Sequence, residues 1–421
     1  MTQSTESRIA VPEAIRGIHV IDADTHLTEP ADLWTSRAPA AYKDRVPRVV
    51  PVDLETVNWA KESGLKENDG HNNFWVVEDG LMMGIAGSGS VVNRFNQKVR
   101  GSAFTHWPLD EASPAATFLD ARLDLMDELG IWGQIIYPNL VGFGGQGLGK
   151  IQDLKLREMC TIIYNDAMIE FYEQSGGRLN GMAMVPWWDM DLAVREIERV
   201  HRLGLKGVNT HADPQNDGLP DLAEHFWEPL WEVCESLNMP INFHIGASQT
   251  QVSWFGGAPW PSFDDERKVA MGSAVMFMGN VRIIGNLIFS GILERHPRLN
   301  FVSVESGVGW IPFLLEALDY QAEETAPNAL DFLSMKPSEY FHRQMYACFW
   351  FENEHILEDV RRLGYDRVMF ETDFPHPTCL YPEPLTAVAK TLSAIDYEDR
   401  KKLLSGNAAK VYNLDVPGGV H

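Results

Sequence analysis

Ile18-His19-Val20-Ile21-Asp22-Ala23-Asp24-Thr25-His26 reads as a buried strand that closes on polar residues. Ile18, Val20 and Ile21 are β-branched and apolar, and Gly17 bounds the run. Asp22, Asp24 and His26 then fall at every second position, and alternate side chains of a strand leave on one face. Two carboxylates and an imidazole on one buried face are costly unless paired, and a cation is an economical partner. An Asp near a strand end also caps the loop that follows. This stretch alone leaves ligand and cap both open.

Downstream, a regular alternation begins at Ser113-Pro114, a helix start with Pro at the first helical position. Leu119, Leu123, Met126 and Leu129 form the apolar stripe, and Gly130 stops it. Further strands are expected at Trp132–Tyr137, Leu179–Val185, Gly207–His211, Ile241–Ile245, Leu299–Glu305, Gln344–Trp350 and Arg367–Thr372. Helical stretches separate them, including one long helix from about Met271 to Glu294 that carries several glycines. With the opening strand this makes eight strand-helix repeats. Such alternation implies a parallel sheet, and eight repeats favour a closed (β/α)8 TIM barrel over an open sheet. No glycine-rich phosphate or dinucleotide motif follows any strand.

The barrel is expected to form one domain over residues 17–415. Residues 27–113 are then an insertion that caps the mouth after the first strand. Within it, Asp79-Gly80 between apolar runs is a hairpin signal.

Composition narrows the partners. The net charge of -24, from 35 basic and 59 acidic residues, argues against nucleic acid or an anionic membrane. Cys160, Cys234, Cys348 and Cys379 are scattered, which suggests reduced thiols in a cytoplasmic protein. The first sixteen residues lack the apolar run of a signal peptide, and no membrane span is expected.

In such barrels the chemistry sits at the C-terminal ends of strands. Those ends carry Asp24 and His26, Asn209 and His211, His244, Glu305, and Asp373. One histidine there is more often structural than a ligand; several acids and imidazoles together point to a site. His376 reads equally as a residue behind the site or as a plain loop residue.

Ile21-Asp22-Ala23-Asp24-Thr25-His26 resembles the opening motif of the amidohydrolase superfamily, usually H-x-H. Four later stretches are similar to its aminocarboxymuconate-semialdehyde decarboxylase branch: Leu287 to Pro297, Gly309-Trp310-Ile311-Pro312, Glu371-Thr372-Asp373-Phe374-Pro375, and Gly406-Asn407-Ala408-Ala409. The resemblance implies one divalent metal, Zn or Mn, held by Asp24, His26, His244 and Asp373. It also implies a homodimer or higher homo-oligomer. Asp24 stands where the family often has His, and Glu305 stands where it usually has a catalytic His. Asp373 and Glu305 are therefore the expected proton-handling residues, with Asp22 a buried carboxylate that orients others.

The substrate is expected to be a flat, largely apolar small molecule, because Tyr137, Trp187, Trp188, Trp254, Phe255, Trp260, Phe349 and Trp350 fall near strand ends or insertions. His211, Arg94, Arg100 and Arg267 are candidates to hold it, an arginine being the natural partner of a carboxylate. The reading is a metal-dependent decarboxylase of an aromatic or unsaturated carboxylic acid. A metal-dependent hydrolase is the alternative, and a non-catalytic barrel the third.

Overall fold

The computed structural model describes residues 10–51, 73–101, 104, 107–256, 260 and 262–418. Within them the chain forms strands β1 Val20–His26, β2 Arg48–Pro51, β3 Asn73–Val77, β4 Leu81–Ile85, β5 Ile131–Tyr137 and β6 Leu179–Gly181. They continue with β7 Ala183–Met184, β8 Val208–Asn209, β9 Ile241–His244, β10 Phe301–Val304, β11 Met345–Phe349 and β12 Val368–Phe370. β1, β5 and β6 make one parallel sheet, and β7 through β12 make a second in sequence order. The protein is thus α/β with parallel sheets.

The two sheets meet at two places. Met182, between β6 and β7, donates its N–H to the Ile136 carbonyl at 2.9 Å. Beyond β12, the Asp373 N–H donates to the Asp24 carbonyl at 3.0 Å, and the His26 N–H to the Phe374 carbonyl at 2.7 Å.

Every residue of β1 is buried. Its alternate residues Ile21 and Ala23 join Ile135, Val302, Val304, Tyr346 and Met369 in an apolar cluster between the strands. A larger cluster fills the space between strands and helices. Apolar packing so claims the lower part of each strand and leaves the strand ends for polar groups.

After β1 the chain runs into the segment that carries the antiparallel sheet β2-β3-β4. Glu78 to Gly80 turn β3 into β4, where Asp-Gly predicts a hairpin. Trp34 and Trp75 pack edge to face at 5.6 Å and belong to the main core, and the Trp34 indole donates to the Cys160 carbonyl. Residues 52–72 of this segment, and the side chains of Trp254 and Phe255, lie outside the described residues.

One expectation is corrected. The run from Met271 to Glu294 is not one helix but parts of three: Asp265–Met276, Val281–Phe289 and Ile292–Arg295. At the first break the Asn280 amide donates to the Phe243 carbonyl at 2.8 Å and to Ser303 Oγ at 3.0 Å. Those bonds pull the backbone onto β9 and β10. Gly291, at φ +74°, makes the second break in a left-handed conformation that suits glycine.

Residues Glu266–Phe289 have the length of a membrane span and contain an 18-residue window of mean hydropathy 1.3. Ile283, Ile284, Leu287 and Ile288 are nonetheless buried in the protein core, which makes the signal weak. All four cysteines are free and buried.

Candidate metal centre

Strand alternation and the crossing of strand ends bring five candidate residues to one place. Asp24 and His26 come from β1, His244 ends β9, Glu305 follows β10, and Asp373 follows β12. Glu305 and Asp373 have φ of +50° and +59°, a left-handed conformation uncommon for residues other than glycine. Each strand therefore ends in a sharp turn of the backbone at the carboxylate. Such outliers cost about 1–3 kcal/mol and gather at functional sites.

Asp24, His26, His244 and Glu305 offer ligand atoms that all lie within 4.8 Å of one another. His26, Glu305, Asp373 and His376 form a second, overlapping group. His244 Nε2 lies 3.4 Å from Asp24 Oδ2 and 3.4 Å from Glu305 Oε2, and His26 Nε2 lies 3.7 Å from Asp373 Oδ1. Three of the four residues expected as ligands, Asp24, His26 and His244, fall in one group with Glu305, and Asp373 falls in the overlapping group through His26 and Glu305.

Three observations test the fit of a cation. No hydrogen-bond donor among the described residues reaches either carboxylate oxygen of the fully buried Asp24, nor Oδ1 of Asp373. A buried, unpaired carboxylate is costly, and a cation relieves it. Second, His26 Nδ1 faces the Pro138 carbonyl at 3.2 Å and His244 Nδ1 the Ile245 carbonyl at 2.7 Å. Each imidazole then donates through Nδ1, and two Nε2 lone pairs face each other at 3.0 Å. Third, the titrating groups oppose one another.

Burial, then Asp373 and Asp22, pushes the Asp24 carboxyl well above its ordinary range. Burial, followed by Asp373, Asp24 and Glu371, does the same to Glu305. Burial lowers His26, aided by His376 and His244, and takes His244 down to about 4. Both imidazoles are neutral at ordinary pH, so their contacts with Asp24 are not ion pairs. Neutral histidines and crowded carboxylates are the donor set of a divalent metal. The residues fit one.

Around this set stand residues with no free ligand atom. Asp22 accepts from the Thr372 N–H at 2.7 Å, from Thr372 Oγ1 at 2.6 Å and from Gln134 Nε2 at 3.3 Å. It ties β1 to the β12 end and to β5. Arg122, fully buried, donates to the His26 carbonyl at 2.6 Å and holds the strand end from behind.

The amidohydrolase family profile matches residues 21–414. The chain belongs to the amidohydrolase family. It is 26% identical over 326 residues to a gamma-resorcylate decarboxylase of Polaromonas sp. strain JS666, covering 73% of this chain and 91% of that one. Among solved structures, an amidohydrolase of Mycobacterium avium subsp. paratuberculosis K-10 superposes with a TM-score of 0.70 at 21% identity, over 94% of this chain and 99% of that one. A manganese complex of 5-carboxyvanillate decarboxylase from Novosphingobium aromaticivorans with 4-hydroxy-3-methoxy-5-nitrobenzoic acid has a TM-score of 0.61 at 18% identity, over 98% and 100%. These likenesses make the fold that of the amidohydrolases.

Beside the candidate metal centre of this amidohydrolase lies a cavity of about 250 Å³. Glu305 and His376 reach it from the centre, and Phe104, Phe143, Val252, Met276 and Phe277 supply apolar walls. Phe143 sits on a glycine-rich loop, with ring centroids 5.0 Å from His26 and 4.5 Å from His244. A Cβ on its neighbour Gly144 would come within 2.7 Å of the Ala247 carbonyl oxygen, so only glycine lets the loop lie this close.

Other candidates lie elsewhere. His211 is buried beside Trp187, its Nδ1 accepting from the Asp213 N–H at 2.9 Å and its Nε2 bonded to Asp217 at 2.7 Å. Arg94 pairs with Glu111 at 3.5 Å, and Arg267 pairs with Asp264 at 2.6 Å. Arg100 lines a neighbouring cavity, described below.

Phe143 lies in a glycine-rich stretch whose local pattern carries no signal that it packs on the histidines. Glu371, whose carboxyl burial pushes up, was not among the expected site residues. Glu371-Thr372-Asp373 repeats the spacing of Asp22-Ala23-Asp24, and that was the available signal. His376 stacks on His26 at 3.6 Å and lies 3.1 Å from Asp373 Oδ1.

Proposed function

We propose that this amidohydrolase is a metal-dependent decarboxylase of an aromatic or other unsaturated small carboxylic acid. The observation that carries the reading is Glu305. It is a buried carboxyl at the junction of the ligand cluster and an apolar cavity. A decarboxylase needs a proton donor there, and a carboxylic acid in an apolar pocket can be one.

Asp24, His26, His244 and Asp373 would hold the cation, manganese or zinc, with Glu305 within reach. When bound, that cation supplies positive charge that orients the substrate carboxylate or an adjacent oxygen. Phe143, Met276 and Phe277 flank a flat body and keep water from it. As the bond to the carboxylate carbon breaks, carbon dioxide leaves and the electron pair remains on the substrate carbon. Glu305 delivers its proton to that carbon. Asp373 is steadied by Thr378 Oγ1, which donates to its Oδ2, and by the neighbouring His376 ring. The relatives' decarboxylase activity supports this reading.

The same proposal includes the architecture. The bonds from Asp373 and His26 across the β12 and β1 ends support a closed eight-stranded barrel in a single domain over residues 17–415. Residues 27–113 are its inserted cap. A homodimer or larger homo-oligomer in the cytoplasm is part of this reading, supported by the family and by four unpaired thiols.

The test is a panel of hydroxybenzoates, enoic acids, amides and ring-cleavage products, followed for carbon dioxide and for solvent oxygen in the product. Carbon dioxide release is expected. Glu305→Gln should cut turnover by roughly a hundredfold or more, as for other lost acid-base groups, with metal content unchanged. An ionised Glu305 would instead serve as the base of a hydrolase. Solvent oxygen entering the product without carbon dioxide would establish that alternative.

A further inference from the structure

The apolar cavity beside the candidate metal centre does not end at Phe104 and Phe277. A second cavity, of about 440 Å³, shares Phe104, Ser273, Phe277, Pro377 and Thr378 with it. Ligand cavities for drug-sized molecules run from about 300 to 1,000 Å³. The inner cavity suits a single ring, and the pair suits a longer molecule.

The two cavities differ in charge. The inner one has no Lys or Arg among its described lining residues. The outer one has Lys98 and Arg100, and the Glu266 carboxylate lies beside Gly101 on the same lining. No described carboxylate pairs with either cation; the Lys98 amine donates instead to the neutral Cys379 carbonyl. Two unpaired cations in one cavity stand out in a chain of net charge -24.

Their position is built, not incidental. Residues 91–99 fold back on themselves, with Val99 N–H donating to the Val91 carbonyl at 2.8 Å and Asn93 N–H to the Gln97 carbonyl at 3.0 Å. The Asn93 side chain accepts from the Phe95 and Gln97 N–H groups, both at 3.0 Å, and closes the turn. Val91 N–H donates to the Pro375 carbonyl at 2.8 Å. That bond fastens the arm to the same β12 loop that carries Asp373 and His376. The backbone that carries Lys98 and leads into Arg100 is therefore tied to the loop beside the candidate metal centre.

We propose that the substrate is elongated, its reacting end and apolar body filling the inner cavity and a second anionic group at its far end meeting Lys98 and Arg100. The inference rests on the inner cavity being the reaction site. A carboxylate or a phosphate would satisfy the two cations, since both accept from a guanidinium fork and an ammonium.

The probes are hydroxybenzoic acids with a para-linked alkyl chain of varied length, ending in a carboxylate, a phosphate or a methyl ester. Their dissociation constants are measured by calorimetry on the manganese-loaded protein, for wild type, Arg100→Gln and the Lys98→Met/Arg100→Gln pair. At one favoured chain length the charged ends should bind at least about tenfold tighter than the ester. Arg100→Gln, a change at an exposed side chain, should remove most of that preference, the double variant all of it, and the ester should be unaffected. Whether carboxylate or phosphate binds tighter identifies the anion. Equal binding of ester and charged ends at every length, or a preference that survives both substitutions, overturns the proposal. Carbon dioxide is followed in parallel. A charged-end preference without carbon dioxide would sink decarboxylation and leave the anion site standing; carbon dioxide without the preference would do the reverse.

Discussion

Two polar clusters sit at the strand ends of this amidohydrolase, built from the same residue types, and they are satisfied in opposite ways. Near β8 and β9, Asp213 accepts from both terminal nitrogens of Arg282 at 2.7 and 3.1 Å, from Ser248 Oγ at 2.6 Å and from Gln215 at 3.0 Å. Burial alone would push its carboxyl up, but those bonds outweigh it and hold the group below the usual range. His211 has a partner at each ring nitrogen. At the candidate metal centre no donor among the described residues reaches Asp24, and its carboxyl is pushed the other way. A buried acid completed by its own protein is scaffold. A buried acid left incomplete is waiting for something the chain does not carry.

The largest effect should come from the incomplete cluster. His244→Ala is expected to lose the divalent ion and reduce turnover to background, while far-ultraviolet circular dichroism stays that of the folded chain. Elemental analysis beside an activity assay checks it. Full metal content in the variant would break the contrast at its root.

The complete cluster should answer differently. Asp213→Asn leaves Arg282 without its carboxylate and is expected to cost about 1–2 kcal/mol, a discounted figure because the Arg282 side chain is 41% exposed. Metal content should not change. Urea denaturation measures the loss, and a fall in bound metal would show that the two clusters are not independent.

Glu29 lies between the cases and sharpens them. It is buried, and one of its oxygens accepts from the N–H groups of Asn139 and Leu140 at 2.8 and 2.9 Å. Burial nevertheless takes its carboxyl up from 4.5 to about 7. The folded chain thus holds a proton that the unfolded chain gives up across this window. The folded state binds more protons there, so stability falls as pH rises from the lower value through the upper one. Glu29→Gln keeps a carbonyl for both N–H groups and removes the proton. The stability profile should flatten by up to about 3 kcal/mol over that range, as read by denaturation below and above it. An unchanged slope would mean that water reaches the group and relieves its burial.

The convergence of the strand-end residues was legible in the sequence, though not which of them would be ligands. Asp24 and His26 announce themselves because strand alternation is strict, and His244, Glu305 and Asp373 because a polar residue closing an apolar strand is rarely idle. The helix expected over 271–294 is broken twice, because the Asn280 amide reaches β9 and β10 and Gly291 turns left-handed, and the stretch's composition signals neither. Arg94, Arg100 and Arg267 could not be ranked, since an arginine's role depends on whether a carboxylate stands beside it. Arg94 and Arg267 pair with one, and Arg100 forms no ion pair among the described residues.

The sequence by itself determined the alternation of strands and helices, the buried first strand and the identity of the residues at each strand end. These follow from local periodicity, which the backbone enforces over a few residues. Only the tertiary structure decided that Glu305 stands 3.4 Å from His244, that Phe143 covers both histidines, and that His211 is completed by Asp213 and Asp217. Those facts join residues from tens to hundreds of positions apart, or depend on which donors happen to converge. Whether a buried carboxylate is satisfied is a property of the space around it, and no stretch of sequence contains that space.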